Sequence, residues 1–159
     1  MGKIIENRDE LKQICAQLKQ KKLRIVFTNG VFDLVHRGHI DYLQKAKRLG
    51  DVLVLGLNTD RSVKQIKGDK RPLIAQMDRA VLLSALECVD YVTFFDEPTP
   101  LTLIEQVAPG VLVKGGDWSI DKIVGREVVE KNGGIVRSIP FLEGYSSTNL
   151  IRRIISIYG

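Results

Sequence analysis

The chain has 159 residues, 44% of them hydrophobic and 27% charged, with a formal net charge of +5. That length suffices for one compact domain that needs neither disulfides nor a structural metal. The 24 lysines and arginines are spread among 19 acids, with no basic run interleaved with aromatics, which argues against a nucleic-acid track, and no apolar run reaches the length of a membrane span.

The first residues, MGKIIENRDELKQ, carry charges where a secretory signal would need its apolar core. Asp9 to Gln20 places Leu11, Ile14, Cys15 and Leu18 at helical spacing, acid first and base last, and predicts an amphipathic helix. Residues 1–22 are thus expected to form a helical lead-in packed on a domain of residues 23–159. Arg24 to Thr28 predicts a buried strand that stops at Asn29-Gly30, and Ile40 to Leu49 a helix closed by Gly50. Asp51 to Leu57 is a continuous apolar run of the kind found in parallel strands covered on both faces. A short helix follows at Arg61 to Ile66, then the basic loop KQIKGDKR and a helix over Asp78 to Leu86. Tyr91 to Phe95 predicts a strand, Pro100 to Val107 a helix with proline in its first turn, and Val111 to Lys114 a strand ending at Gly115-Gly116. Glu127 to Lys131 reads as a helix, Ile135 to Ile139 as the last strand, and Thr148 to Ile157 as the closing helix.

Short apolar strands alternating with helices predict an α/β fold: a single Rossmann-like domain, a five-stranded parallel sheet with helices on both faces, joined by right-handed crossovers. Ligands of such sheets bind beyond the carboxyl ends of the strands, where strand order reverses. Four segments qualify in advance: Thr28 to His39, Asn58 to Arg71, Lys114 to Trp118, and Ile139 to Thr148. The two cysteines, Cys15 and Cys88, are far apart and form no CxxC pair. They read as buried thiols of a reducing compartment, and the expectation is a cytoplasmic protein with no membrane or nucleic-acid partner.

No GxxxxGK[ST] is present, and the first apolar strand is followed by TNGVFD rather than GxGxxG. What comes next is HRGH. His36 and His39, the only histidines of the chain, lie three apart at a helix start and point the same way, beside the exposed N–H groups and positive dipole end of the helix. Gly38 between them leaves the backbone open to close approach by a phosphate. Nucleotidyl transfer needs such donors around oxygens whose charge redistributes as one oxygen attacks and pyrophosphate departs. A zinc site is not expected, because no third histidine or suitably spaced cysteine exists.

TNGVFDLVHRGH after a strand resembles the HxGH nucleotidylyltransferase superfamily, and GYSSTNLIRRI (Gly144 to Ile154) is similar to that superfamily's second signature. Within the superfamily, VFTNGVFDLVHRGH, KGDKRP, ALECVDYV, LVKGGDW and EGYSST together resemble the adenylyltransferases that make ADP-heptose, across nearly the whole chain. The resemblance implies adenylyl transfer from ATP, carried with Mg²⁺, to D-glycero-β-D-manno-heptose 1-phosphate for lipopolysaccharide core synthesis. It also implies a homodimer as one possible assembly. On that resemblance the expectation is the stand-alone type, without a kinase half beside these motifs.

The resemblance implies that His36 and His39 hold the α-phosphate and that Thr28, Asn29, Gly30 and Phe32 wall the nucleotide. Lys64, Lys67 and Arg71 are candidates for the sugar phosphate and the triphosphate tail, and Arg79 matches an arginine near the phosphates of related cytidylyltransferases. Lys114, Gly115 and Asp117 leave the fourth strand where a nucleobase or ribose could rest. Ser146, Ser147 and Thr148 open the last helix, to cap it or to hold the β- and γ-phosphates. Of the adjacent Arg152 and Arg153, signature spacing favours Arg153. Asp33 has three readings: it orients a histidine, meets Mg²⁺ through water, or serves as a helix-entry carboxylate.

One departure stands out. Where cytidylyltransferases carry RTEGIST, this chain has FLEGYSS from Phe141 to Ser147. The missing arginine counts against the alternative of a cytidylyltransferase acting on glycerol 3-phosphate or a related alcohol. An alternative of another class, a nucleotide sensor without turnover, leaves the paired histidines unexplained.

Overall fold

The structure is a computed structural model and describes residues 1–116 and 118–159. In chain order its elements are β1 (Lys3–Ile5), α1 (Arg8–Gln20), β2 (Ile25–Gly30), α2 (Arg37–Lys47), β3 (Val52–Asn58), α3 (Asp60–Lys67), α4 (Gln76–Ser84), β4 (Tyr91–Phe95), α5 (Leu101–Val107), β5 (Val111–Gly115), α6 (Arg126–Lys131), β6 (Ile135–Ile139) and α7 (Ser147–Tyr158). A single 3-10 turn lies at Ile120–Lys122.

All strands run parallel in one sheet of order β1-β4-β3-β2-β5-β6. The alternation of side chains along each strand sends successive residues to opposite faces, and both faces are apolar. From β2, Ile25 and Phe27 join Leu11, Cys15, Leu103, Ile104 and Val107 of α1 and α5, while Val26 joins Leu43, Ala46, Ala80 and Leu83 of α2 and α4. β3 divides the same way, Val52 and Val54 against Leu53, Leu55 and Leu57. This is why its sequence is a continuous apolar run rather than an alternating one.

Six strands replace the five expected. The additional one, β1, pairs Lys3, Ile4 and Ile5 with Tyr91, Val92 and Thr93 of β4. Three residues are too few to display a period of two, so this edge strand exists only because β4 supplies its partner. β2 also continues through Asn29 and Gly30, where a stop was expected, since both pair in register with Gly56 and Leu57 of β3. α1 begins where Asn7 caps it, its side chain accepting from Asp9 N (2.8 Å) and Glu10 N (3.0 Å). Among the described residues no helix is long and apolar enough to cross a membrane.

Strand order reverses at β2, with β3 and β4 to one side and β5 and β6 to the other. β2 and β5 pair only at Val26 with Val111 and Phe27 with Leu112. Beyond these pairs the strands diverge toward their carboxyl ends. The Tyr42 hydroxyl spans the gap, 2.5 Å from Thr28 Oγ1 and donating to Val113 O at 3.4 Å. A crevice therefore opens where this topology places ligands.

Candidate functional site

A cavity of about 380 Å³ fills that crevice. β2 contributes Asn29 and Gly30, the following loop Phe32 and Asp33, and the start of α2 His36, Gly38 and His39. Lys114 and Gly115 of β5 face them, Lys67 and Arg71 enter from the α3 side, and Ser146, Ser147 and Thr148 bring the N-terminus of α7 to the same space. Four segments distant in sequence thus share one cavity. Thr28 lies behind the wall, fully buried, its hydroxyl turned to Tyr42. Lys64 and Arg153 are exposed and do not line the cavity. Asp117 lies outside the described residues.

His36 is the N-cap of α2 and His39 sits one turn in, their rings stacked with centroids 3.8 Å apart. The His36 backbone N–H donates to His39 Nδ1 over a long 3.4 Å. A neutral His39 accepting at Nδ1 carries its proton on Nε2, which leaves an N–H to donate. Burial, with His36 close by, pushes the His39 pKa down to about 4, and burial lowers that of His36 as well. Both rings are therefore neutral near pH 7. His36 Nδ1 is buried and finds no hydrogen-bond partner among the described residues.

Gly38 is required by space on both sides. A Cβ there would stand 2.9 Å from Tyr145 Cβ and 3.1 Å from Cε1 and Nδ1 of His36. Tyr145 leads into α7, so the glycine lets the second signature close onto the first. Arg37 extends over the Tyr145 ring, its guanidinium carbon 5.8 Å from the centroid.

Asp33 holds the loops together. Phe32 (φ +47°) and Leu34 (φ +55°) flank it in the left-handed region, a strained arrangement for non-glycine residues. The turn directs the carboxylate inward. Its Oδ2 accepts from Arg71 Nε (2.6 Å) and Leu73 N (2.9 Å), and its Oδ1 from Ile74 N (3.0 Å). Burial by itself would raise this pKa, but the bonds from Leu73 N, Arg71 and Ile74 N outweigh it and hold the carboxyl below the usual range. The Asp33 carbonyl accepts from Ser147 Oγ at 2.6 Å, so one residue ties both the basic loop and α7 to the HxGH segment.

Arg79 is fully buried behind the cavity. Its guanidinium donates to Ile74 O (2.9 Å), Val31 O (2.6 Å), Asn58 O (2.9 Å) and Asp60 Oδ1 (2.7 Å). These acceptors lie on the loop after β2, at the β3–α3 junction and before α4, and Arg79 braces those segments from behind the cavity. Lys114 lines the cavity, and burial lowers its pKa. With Lys67 also on the wall and Asp33 neutralised by Arg71, the cavity favours a polyanion. Ser146 Oγ caps α7 by accepting from Asn149 N at 3.1 Å. The helix's free N–H groups and dipole end add to that preference.

Tyr42, Tyr145 and Phe141 also line the cavity and were not singled out by residue type. Phe141 and Tyr145 lie in the FLEGYSS segment that departs from RTEGIST, whereas Tyr42 carries no local signal. Among the described residues no group of three or more His, Cys, Asp or Glu side chains is placed to hold a metal. Among the described residues the one carboxylate on the wall, Asp33, already accepts three bonds, a donor set that suits a Mg²⁺ ion held by triphosphate oxygens and water rather than by a protein cage.

The sequence model of the family described as cytidylyltransferase-like matches residues 27–153, the span that builds the cavity. The chain is 56% identical over 155 residues to the bifunctional protein HldE of Geobacter sulfurreducens, covering 98% of this chain and 32% of that protein. It is 54% identical over 154 residues to the HldE of Citrifermentans bemidjiense, covering 97% and 32%. The chain thus spans about a third of the length of these curated relatives. Among solved structures it resembles the lipopolysaccharide core biosynthesis protein from Thermoplasma volcanium, with a TM-score of 0.61 and 28% identity over 78% of this chain and 99% of that one. The pantoate-beta-alanine ligase from Francisella tularensis, complexed with beta-gamma ATP and beta-alanine, has a TM-score of 0.65 over 99% of this chain and 78% of that one. At 18% identity that likeness concerns the fold alone.

Proposed function

The chain belongs to the cytidylyltransferase-like family and is a nucleotidyltransferase, and from that premise we propose that it transfers the adenylyl group of ATP to D-glycero-β-D-manno-heptose 1-phosphate, giving ADP-heptose and pyrophosphate. The observation that carries the chemistry is the pairing, in one cavity, of two neutral stacked histidines with the N-terminus of α7. The substrate pair is supported by the motif set TNGVFDLVHRGH, KGDKRP, LVKGGDW and EGYSST. The description of the Thermoplasma relative as a lipopolysaccharide core biosynthesis protein agrees with it.

In this reading the α-phosphate rests against His36 and His39, and the β- and γ-phosphates lie at the α7 N-terminus, near Ser147, Thr148 and Lys67. Mg²⁺ arrives with ATP as part of the substrate and neutralises the triphosphate. An ionised oxygen of the sugar phosphate attacks the α-phosphorus, the bond to the bridging oxygen breaks, and pyrophosphate leaves. The attacking oxygen already carries charge, so no general base is needed. Nε2–H of His39 donates to a non-bridging oxygen as its charge grows. Arg71 and Lys114 meet the phosphates from the walls, whereas Lys64 and Arg153 meet charge only at the mouth. Asp33 and Arg79 act by position, the first holding Arg71 and α7, the second bracing the loops behind the histidines.

The family description favours a second reading in the nucleotide, CTP in place of ATP, for which glycerol 3-phosphate is the acceptor to test. Pyrophosphate release measured across a panel of nucleotides and sugar phosphates separates the two. ATP with the heptose phosphate should turn over fastest, and a better rate for CTP with glycerol 3-phosphate would overturn the assignment. His36→Ala and His39→Ala should each lower kcat about 10²- to 10³-fold, the scale of one lost transition-state donor, with an unchanged circular dichroism spectrum. Wild-type rates in either variant would remove the histidines from the mechanism.

A further inference from the structure

α7 opens on the cavity at its N-terminus, yet none of its 12 residues is buried. Helical spacing gathers Leu150, Ile151, Ile154, Ile155, Ile157 and Tyr158 on one half of the helix, with Arg152 along one edge of that half and Arg153 along the other. Ile154 is 52% exposed, Ile155 62% and Ile157 58%. What holds α7 lies at its start, where Ser146 caps it, Ser147 Oγ donates to Asp33 O and Tyr145 packs on Gly38. A helix this short is marginal in water by itself and gains its stability by burying an apolar face. An apolar half left uncovered along the whole helix therefore calls for a surface to cover it.

A second uncovered patch lies on α4. Arg79, Ala80, Leu83 and Ser84 form its buried side, while Met77 and Val81, one turn apart, face solvent together with Leu82 and, just ahead of the helix, Leu73. The one charge that α4 shows to solvent is acidic, Asp78, because Arg79 is buried among its acceptors. α7 is the reverse, with two exposed arginines and no acid. Among the described residues Asp78, Arg152 and Arg153 make no ion pair. Both patches belong to the side of the sheet that α2 covers, since α4 shares a core with α2 and α7 is entered against Gly38 of α2.

We propose that these patches are the two halves of one interface between two copies of this chain, in which α7 of each copy packs on α4 of the other and sets Arg152 and Arg153 beside the partner's Asp78. Each copy uses the same surfaces, so the contact closes on itself as a two-fold dimer. Pairing α7 with α7 would instead bring arginines near arginines with no acid to offset them. Covering both patches on both copies removes roughly 1,500 Å² from water, the size of a standard stable interface. The second copy thereby holds, along its length, the helix whose N-terminus opens on the cavity.

Association is measured by sedimentation velocity without nucleotide or sugar phosphate, so its outcome is independent of the proposed reaction. The wild-type chain should be a dimer at micromolar concentration. Ile154→Asp on α7 and Val81→Asp on α4 should each raise the dimer Kd about 30-fold or more, the scale of one lost hot spot. Both positions are exposed, so near-UV circular dichroism should stay unchanged. Asp78→Arg should weaken the dimer, and adding Arg152→Glu and Arg153→Glu should restore it, an outcome that loss of fold cannot mimic. In the Val81→Asp monomer, amide exchange should quicken over Leu150 to Tyr158, far from the substitution in sequence, while β2 and β3 keep their protection. A monomeric wild type, a dimer that survives Ile154→Asp or Val81→Asp, or α7 exchange unchanged in the monomer would each overturn the proposal. So would a monomer that binds vesicles of anionic phosphatidylglycerol but not of phosphatidylcholine, which would assign the α7 face to a lipid surface.

Discussion

Asp33→Asn replaces a carboxylate that accepts three hydrogen bonds with a group of the same size and half the acceptor capacity. The side chain is completely buried and Arg71 is only 17% exposed. Asn can still accept from Ile74 N through Oδ1, but its Nδ2 then faces two donors, Arg71 Nε and Leu73 N, at positions now 2.6 and 2.9 Å from an oxygen. Breaking a buried ion pair in this way costs about 3–5 kcal/mol. At a urea slope of about 2 kcal/mol/M the midpoint should fall by roughly 1.5–2.5 M. The folded carboxyl is held below its ordinary pKa, so its contribution is present above the unfolded value of about 3.9 and is lost as pH falls through the folded value. Wild type and variant should therefore converge in stability in acid. Because the carboxylate reaches substrate only through Arg71 and α7, KM for the phosphorylated substrates should rise more than kcat falls. A wild-type urea midpoint combined with a collapsed kcat would refute this, and would mean that Asp33 acts on substrate or metal directly.

Two further predictions follow from the HxGH segment. His39 should titrate near pH 4 when its ring signals are followed by NMR, which is practical because the chain has only two histidines. Since the unfolded imidazole takes its proton near pH 6.5 and the folded one resists it, stability should decline as pH drops from about 6.5 toward 4; a ring titrating at the ordinary value would disprove the burial argument. Gly38→Ala should lower the melting temperature by a few degrees, because the helix-propensity gain of about 1 kcal/mol offsets only part of an overpacking cost of about 1–3 kcal/mol. It should also lower kcat/KM about tenfold or more by displacing His36 and Tyr145, and a wild-type kcat/KM would show that the close approach does not matter.

Several features of the site were legible without the fold. HRGH announced itself because a glycine between two histidines at a helix start is a local pattern, and the His36–His39 stack needs nothing but α2. EGYSST was legible for the same reason, as a hydroxyl-rich helix start, and Ser146 caps α7 accordingly. The charged residues were not. Lys64, Lys67, Arg71 and Arg79 all follow β3 within a short stretch and look equivalent in sequence, yet Lys67 and Arg71 line the cavity, Lys64 faces solvent and Arg79 is buried among four acceptors. Nothing local distinguishes them. Arg71 is drawn in by Asp33, and Arg79 by Val31, Asn58, Asp60 and Ile74, partners brought near by chain folding.

The sequence by itself determined the alternation of strands and helices, because burial on both faces of a parallel sheet demands continuous apolar runs such as Val52 to Leu57, and glycine and polar breaks end them. It determined the two signatures, whose geometry is set within one helical turn. Tertiary structure alone decided that β1 exists, since an edge strand of three residues is made by the neighbour it pairs with. It alone decided that Asp33 ties two loops together and that Phe141 stands open over Gly115 and Gly116. A side chain's direction and partners depend on segments far away in the chain, and no period in the local sequence carries that information.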